Sequence, residues 1–313
     1  MPSDQTKTAA PLEPAAVPAP RNNVLQGVGW MLLTGFLFVA VTGIVRHLGS
    51  DMPAIEAAFI RYCFGLLLIL PVLVKLTKQR MEPGLLKLYG FRGLVHGIAV
   101  MLWFYAMARI PIAEVTAIGY TAPIYITIAA AFFLGERLQL RRTLAILVGL
   151  AGSLVILRPG FQEINSGQLA QVVAAPLFAA SFIIAKKLTD RADPSAIVGM
   201  LSVVCVIVLL PGAILQWRDP TLEELMWLAL TAVFATAGHY TQTRAFRAAP
   251  ITVTQPIMFL QLVWAALLGM ALFDESLDPF VFLGGAIVIG AATYISHREA
   301  LAARRQKALE AGK

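Results

Sequence analysis

The stretch RIPIAEVTAIGYTAPIY, residues 109–125, returns in the second half of the chain as AAPITVTQPIMFLQLVW, residues 248–264. Pro111 falls on Pro250, Ile112 on Ile251 and Ile118 on Ile257, and the same offset carries Glu136 onto Glu275 and Leu138 onto Leu277. Upstream, Pro71 matches Pro211 and Arg46 matches Lys186 at an offset larger by one. The chain is a duplicated unit, and the sense of the duplication decides the fold.

The solvent comes first. Of 313 residues, 58% are hydrophobic and 14% charged, against about 25% charged in an average soluble domain. Crossing a bilayer takes roughly 20 apolar residues per helix. Ten such stretches are predicted, at 24–45, 54–75, 88–108, 112–134, 142–158, 167–187, 195–217, 225–246, 251–273 and 279–296. They leave no room for a soluble domain. Residues 1–23, rich in Pro and Ala, lack the basic start and short apolar core of a cleaved signal peptide and read as a disordered cytoplasmic tail. Residues 297–313 read as a basic cytoplasmic tail. Cys63 and Cys205 both lie in apolar spans, so no disulfide framework is implied.

The net charge of +7 is topological and predicts no nucleic-acid partner. With the N-terminus inside, the tails, the inward connections and the inner ends of the spans beside them hold 20 Lys and Arg, whereas the outward connections hold four, Arg46, Arg109, Arg158 and Arg218, and Arg61 sits within span 2. The positive-inside rule then places both ends in the cytoplasm. Each half has five spans, an odd number, so the second half enters the membrane in the opposite sense to the first. The predicted fold is an all-α membrane protein of ten transmembrane helices in two inverted five-helix repeats, 24–158 and 167–296. Such repeats place a pathway at their interface near the midplane and rock against each other for alternating access.

These residues carry a family resemblance. Each half has a proline-containing opening to its fourth span, Ile110-Pro111-Ile112 and Ala249-Pro250-Ile251, and a Glu just past that span, in Gly135-Glu136-Arg137 and Asp274-Glu275-Ser276. This resembles the EamA family of the drug/metabolite transporter superfamily over residues 25 to 297. The resemblance implies a ten-helix secondary transporter of small metabolites in the cytoplasmic membrane, with both termini inside. Within the family, GVGWMLLTGF, AFIRYCFG and FRGLVHG before LWFYAMARIP resemble bacterial carriers for S-adenosylmethionine and, less closely, riboflavin.

Candidate site residues are sought where polarity is expensive. His96 on span 3 and His239 on span 8 fall at one depth by rise per residue. A shift of four residues from strict repeat symmetry keeps His239 on the matching face. With Arg92 and Arg244 they suggest a cationic vestibule for a carboxylate or phosphate; interhelical hydrogen bonding is the other reading. Arg61 on span 2 either faces the cavity or snorkels outward. Gln242, Gln255 and Gln261, with Trp103, Tyr120 and Trp264, supply amides and rings suited to a planar or amphipathic solute. Tyr120 matches Phe259 and Tyr125 matches Trp264, which favours a symmetric aromatic lining. Spans 1, 3, 4, 6, 8 and 9 are expected to form its wall.

Other signals read as structural. Glu114, three residues after Pro111, is expected to cap its own helix, and Glu136 and Glu275 the helix that follows each. Gly93, Gly97, Gly149, Gly152, Ala265, Gly269, Gly284 and Gly290 read as packing positions. Pro123 and Pro256 interrupt spans 4 and 9, opening the backbone beside the cavity or bending the helices. No phosphate-binding GxxxxGK[ST], HExxH or paired Cys-x-x-Cys occurs, so no ATP hydrolysis by that route, no metal and no cofactor is expected. The expected function is secondary transport of a small polar or amphipathic metabolite such as S-adenosylmethionine, riboflavin or an amino acid. The alternatives are a multidrug or metabolite exporter of the same fold, and, in another class, an intramembrane enzyme or a non-transporting membrane partner protein.

Overall fold

A computed structural model describes residues 24–76, 83–122, 124–125, 140–158, 163–249, 254, 257–276 and 278–311. The expected tail at 1–23, together with Pro123, Glu136, Gln255 and Pro256, lies outside them. The described residues form ten helices: α1 Val24–Leu48, α2 Ala54–Leu76, α3 Pro83–Met107, α4 Ile112–Gly119, α5 Leu140–Leu157, α6 Ser166–Leu188, α7 Pro194–Leu215, α8 Leu222–Ala248, α9 Leu260–Phe273 and α10 Pro279–Ala311. Five of them, α1, α2, α3, α6 and α7, are long and apolar enough to span a bilayer as they stand, and α5, α9 and α10 contain shorter apolar stretches. Helix α10 continues without a break through residues 297–311, where the sequence suggested a tail, so the basic segment extends the last helix.

Local chemistry sets the starts. Asn165 caps α6 by accepting from Gln168 N while the Gln168 side chain accepts from Asn165 N, and Thr221 and Glu224 do the same for α8. Pro194 opens α7, where a missing N–H costs nothing. Asp274, in the left-handed region at φ 50°, ends α9.

The packing obeys one exchange, in which each helix of the first half swaps with the helix five later. Helix α1 packs on α8 and α6 on α3; α2 packs on α8 and α7 on α3; α1 packs on α9 and α6 on α4. Three pairs map onto themselves: α2 with α7, α4 with α9 and α5 with α10. This is the signature of an inverted repeat closing around one pseudo-twofold axis.

Glycine lets main chain meet main chain at the α5–α10 pair. A Cβ on Gly284 would stand 2.6 Å from the Gly152 carbonyl oxygen, and one on Gly152 would stand 2.9 Å from that of Gly284, closer than any side chain permits. Gly93 likewise seats Val204. Gly290, expected to pack, faces open space, with nothing within 4 Å of its would-be Cβ.

The Arg46 end of the bundle is tied by buried and half-buried polar contacts. Glu275 accepts from Ile112 N at 2.9 Å and pairs with Arg46 Nε at 2.9 Å. It therefore caps α4, on the opposite half, and not the helix that follows it. Glu114 does not cap α4 either: it accepts from the Gln168 amide of α6 at 2.6 Å. Glu56 accepts from Arg218 N at 3.0 Å, and Arg158 pairs with Asp278. The inverted order of spans puts the starts of α4 and α6 and the ends of α1 and α9 at this one end, within reach of each other's side chains.

Candidate functional site

Two helices of the bundle are interrupted at matching places. Helix α4 stops at Tyr120, where the bonds Thr121 N to Ile118 O (3.1 Å) and Ile124 N to Thr121 O (2.9 Å) tighten the chain into three-residue turns. In the other half, a turn at Phe259 precedes α9, with Leu262 N bonded to Phe259 O at 3.1 Å. Tyr120 and Phe259, equivalent in the repeat, touch: their rings meet edge-on with centroids 5.0 Å apart, and Tyr120 Oη donates to the Met258 carbonyl at 2.5 Å. Irregular backbone at membrane depth is tolerated where it is buried in protein or borders a cavity.

A cavity of about 190 Å³ lies there. Helices α1, α2, α3, α4, α6 and α8 wall it, together with the chain leading into α9 and the first turn of that helix. These are the six spans expected from the sequence plus α2, which contributes Arg61. At the centre four rings stand in a pseudo-symmetric row. Phe38 packs edge-on against His239 (centroids 5.2 Å), His239 against His96 (5.0 Å), and His96 against Phe178 (5.3 Å). Phe38 and Phe178 match at the offset that relates Arg46 to Lys186 and are equivalent in the repeat, so the axis passes between the two imidazoles. His96 Nδ1 is hydrogen-bonded to Ser181 Oγ of α6 at 2.9 Å; His96 Nε2 and His239 Nδ1 have no hydrogen-bond partner in the protein.

The wall holds His96, His239, Arg61, Trp103, Tyr120, Gln242 and Gln261. Arg61 faces inward and is 4% exposed, which settles its two possible orientations. Gln255 lies outside the described residues. Trp264 does not line the cavity: its ring stacks on Phe36 of α1, centroids 4.0 Å apart and 14° from parallel, in a slot left by the missing Cβ of Gly35. Arg92 and Arg244 do not extend the cavity into a cationic vestibule. Arg92 is buried between α3 and α7, donating to the Ile197 carbonyl at 3.0 Å, and Arg244 lies over the Trp30 ring and donates to Tyr240 Oη at 3.1 Å. Each has been drawn to an acceptor or ring on its surroundings.

Phe38, Phe178, Phe182 and Gln171 also line the cavity and were not singled out from the sequence. Their signals were present. Phe38 and Phe178 share the repeat offset, and Gln171 is an amide inside the apolar run of α6. Its Nε2 donates to the Val115 carbonyl at 3.0 Å, which turns Oε1 away from that bond and leaves it without a partner. Among the described residues, no cluster of His, Cys, Asp or Glu is placed to hold a metal ion.

A ring-lined cavity on the axis of an inverted helical repeat is transporter architecture, and the sequence signature of the EamA-like transporter family matches residues 25–158 and again 165–297. The chain belongs to the EamA-like transporter family. It is a multi-pass membrane transporter and not an enzyme. Among relatives of this EamA protein, an S-adenosylmethionine uptake transporter of Rickettsia bellii is 29% identical over 273 residues, covering 87% of this chain and 94% of the relative. A riboflavin transporter of Vibrio cholerae is 27% identical over 293 residues, covering 92% and 98%. A crystal structure 19% identical to this chain aligns over 89% of it and 99% of the other with a TM-score of 0.57, which shows the fold alone.

Proposed function

We propose that this EamA protein carries a small polar or amphipathic metabolite across the cytoplasmic membrane by alternating access, its two halves, 24–158 and 167–296, rocking about the cavity. The single observation that carries the reading is the pseudo-symmetric row Phe38–His239–His96–Phe178, in which both halves contribute equally to one buried site. His96 and His239 orient a polar end of the solute, and Arg61, Trp103, Tyr120, Gln242 and Gln261 complete its surroundings. Both termini face the cytoplasm, a placement supported by the excess of Lys and Arg on that side. The relatives named for S-adenosylmethionine and riboflavin make these two the first solutes to try.

The test is counterflow in liposomes. Vesicles containing the purified protein are loaded with unlabelled S-adenosylmethionine, riboflavin, tryptophan, a nucleotide or a lipophilic cation, then given the labelled compound outside. Transient accumulation of at least one above protein-free vesicles is the expected result. Accumulation of the lipophilic cation alone moves the reading to drug export, and none with any compound overturns it.

A further inference from the structure

We propose that the solute carries a carboxylate and that Arg61 is its anchor, an inference that rests on the carrier reading above. The cavity wall is unbalanced in charge. Among the described residues lining it there is no Asp or Glu, and Arg61 is the one Lys or Arg. Its Nη1 has no hydrogen-bond partner in the protein. The guanidinium lies over the Tyr62 ring, 3.9 Å from the centroid, which holds it in place without neutralising it.

Five other arginines of the bundle are supplied with oxygen. Arg46 has Glu275, Arg158 has Asp278, Arg218 has Glu224, Arg247 has Asp193, and Arg92 has a main-chain carbonyl. Arg61 is buried, as Arg92 is, and faces a chamber. A charge taken out of water and left uncompensated is costly, so an anion that enters recovers more here than at the arginines already paired. A single guanidinium balances a single negative charge and offers the planar fork that a carboxylate matches with two oxygens.

Three further unpartnered polar atoms belong to residues lining the same chamber: His96 Nε2, His239 Nδ1 and Gln171 Oε1. The amide oxygen is an acceptor fixed by the Gln171–Val115 bond, and it calls for an N–H or O–H on the solute. Phe38, Phe178, Phe182 and Trp103 provide apolar and aromatic surface for a planar body. The solute class is therefore an apolar or heteroaromatic body bearing one carboxylate and a hydrogen-bond donor, and lipophilic cations are excluded by the fixed positive charge.

The experiment compares solutes that differ only in the carboxylate: S-adenosylmethionine against its decarboxylated form, and tryptophan against tryptamine, with riboflavin as a solute lacking the group. Binding to the full-length protein in detergent is read by titration calorimetry and thermal unfolding, and flux by the liposome assay. At least one carboxylate is expected to bind and its carboxyl-free partner to bind about 30-fold more weakly or worse, and Arg61→Gln is expected to remove this difference, with Arg61→Lys retaining part of it. Without ligand, Arg61→Gln should unfold at the same or a higher temperature, because it removes an uncompensated charge; an arginine that merely holds helices together would give a lower one. Binding and flux of riboflavin alone, or equal affinity for a solute and its carboxyl-free partner, overturns the inference while leaving the carrier reading intact. Flux of no compound overturns both.

Discussion

Arg46 and Lys186, matching positions of the two repeats, hold equivalent carbonyls: Arg46 Nη1 donates to Met107 O at 3.1 Å, and Lys186 Nζ donates to Phe246 O. Met107 and Phe246 are related by the same offset as Pro111 and Pro250, so each half uses a base at the end of its first helix to fasten the end of its third. At the Arg46 end the contact is reinforced, since Glu275 pairs with Arg46 and caps Ile112. Glu275→Gln keeps an acceptor for Ile112 N but leaves Arg46 without its counter-charge; Glu275→Ala removes both. The Ala variant is expected to lower stability by about 1–3 kcal/mol, less than a fully buried pair because Arg46 is half-buried, with the Gln variant intermediate. Thermal unfolding in detergent, with both variants compared to wild type, checks the order.

How much of this was legible follows from what sequence spacing records. The apolar stretches carry the helix number, the odd number of spans in each half carries the inverted sense, and the repeat offset carries the equivalence of Tyr120 with Phe259, because duplication preserves order along the chain. The equal depth of His96 and His239 follows from rise per residue, which is fixed once a span's ends are known, and their matching faces from the four-residue shift. Rotation about the helix axis is less well recorded. Spans apolar on every side give no moment to show which face turns to lipid, which is why Arg61 had two orientations open and Trp264, equivalent to Tyr125, was placed in the cavity rather than against Phe36. Contacts across the axis, such as Glu275 to Ile112, join positions far apart in sequence and have no local trace at all.

The imidazole pair is open to a direct test. His239→Ala removes the ring that packs against both Phe38 and His96, and is expected to weaken solute binding about tenfold or more, with the pH dependence of flux altered. His96→Ala also frees Ser181 and should weaken binding at least as much. Unchanged affinity and pH profile in His239→Ala would remove the pair from the site, provided the variant's unfolding temperature shows it is folded.

The α5–α10 seam predicts a structural cost that is separable from solute recognition. Gly284→Val puts side-chain atoms against a main-chain oxygen 2.6 Å from the new Cβ, and main chain in the middle of a helix cannot retreat as a side-chain tip does. A loss of about 1–3 kcal/mol is expected, typical of overpacking. Gly290→Val, with nothing within 4 Å of its would-be Cβ, serves as the matched control and is expected to change stability little. Comparable losses in the two would show that the seam is looser than this geometry.

Acid should loosen the start of α8. Slight burial pushes the Glu224 carboxyl upward, but the Thr221 N–H and hydroxyl and the Arg218 guanidinium together outweigh it and hold the group below its ordinary value. For a carboxyl lowered in the folded state, the stabilisation is fully present above the unfolded value, about 4.3, and disappears as the pH falls through the lowered one. Glu224→Gln should therefore unfold at a lower temperature than wild type near pH 7, and the gap should narrow steadily as the pH is taken toward 3. Melting both proteins in detergent across that range is the measurement, and a gap that stays constant with pH would assign the effect to packing of the side chain, with no part played by its charge.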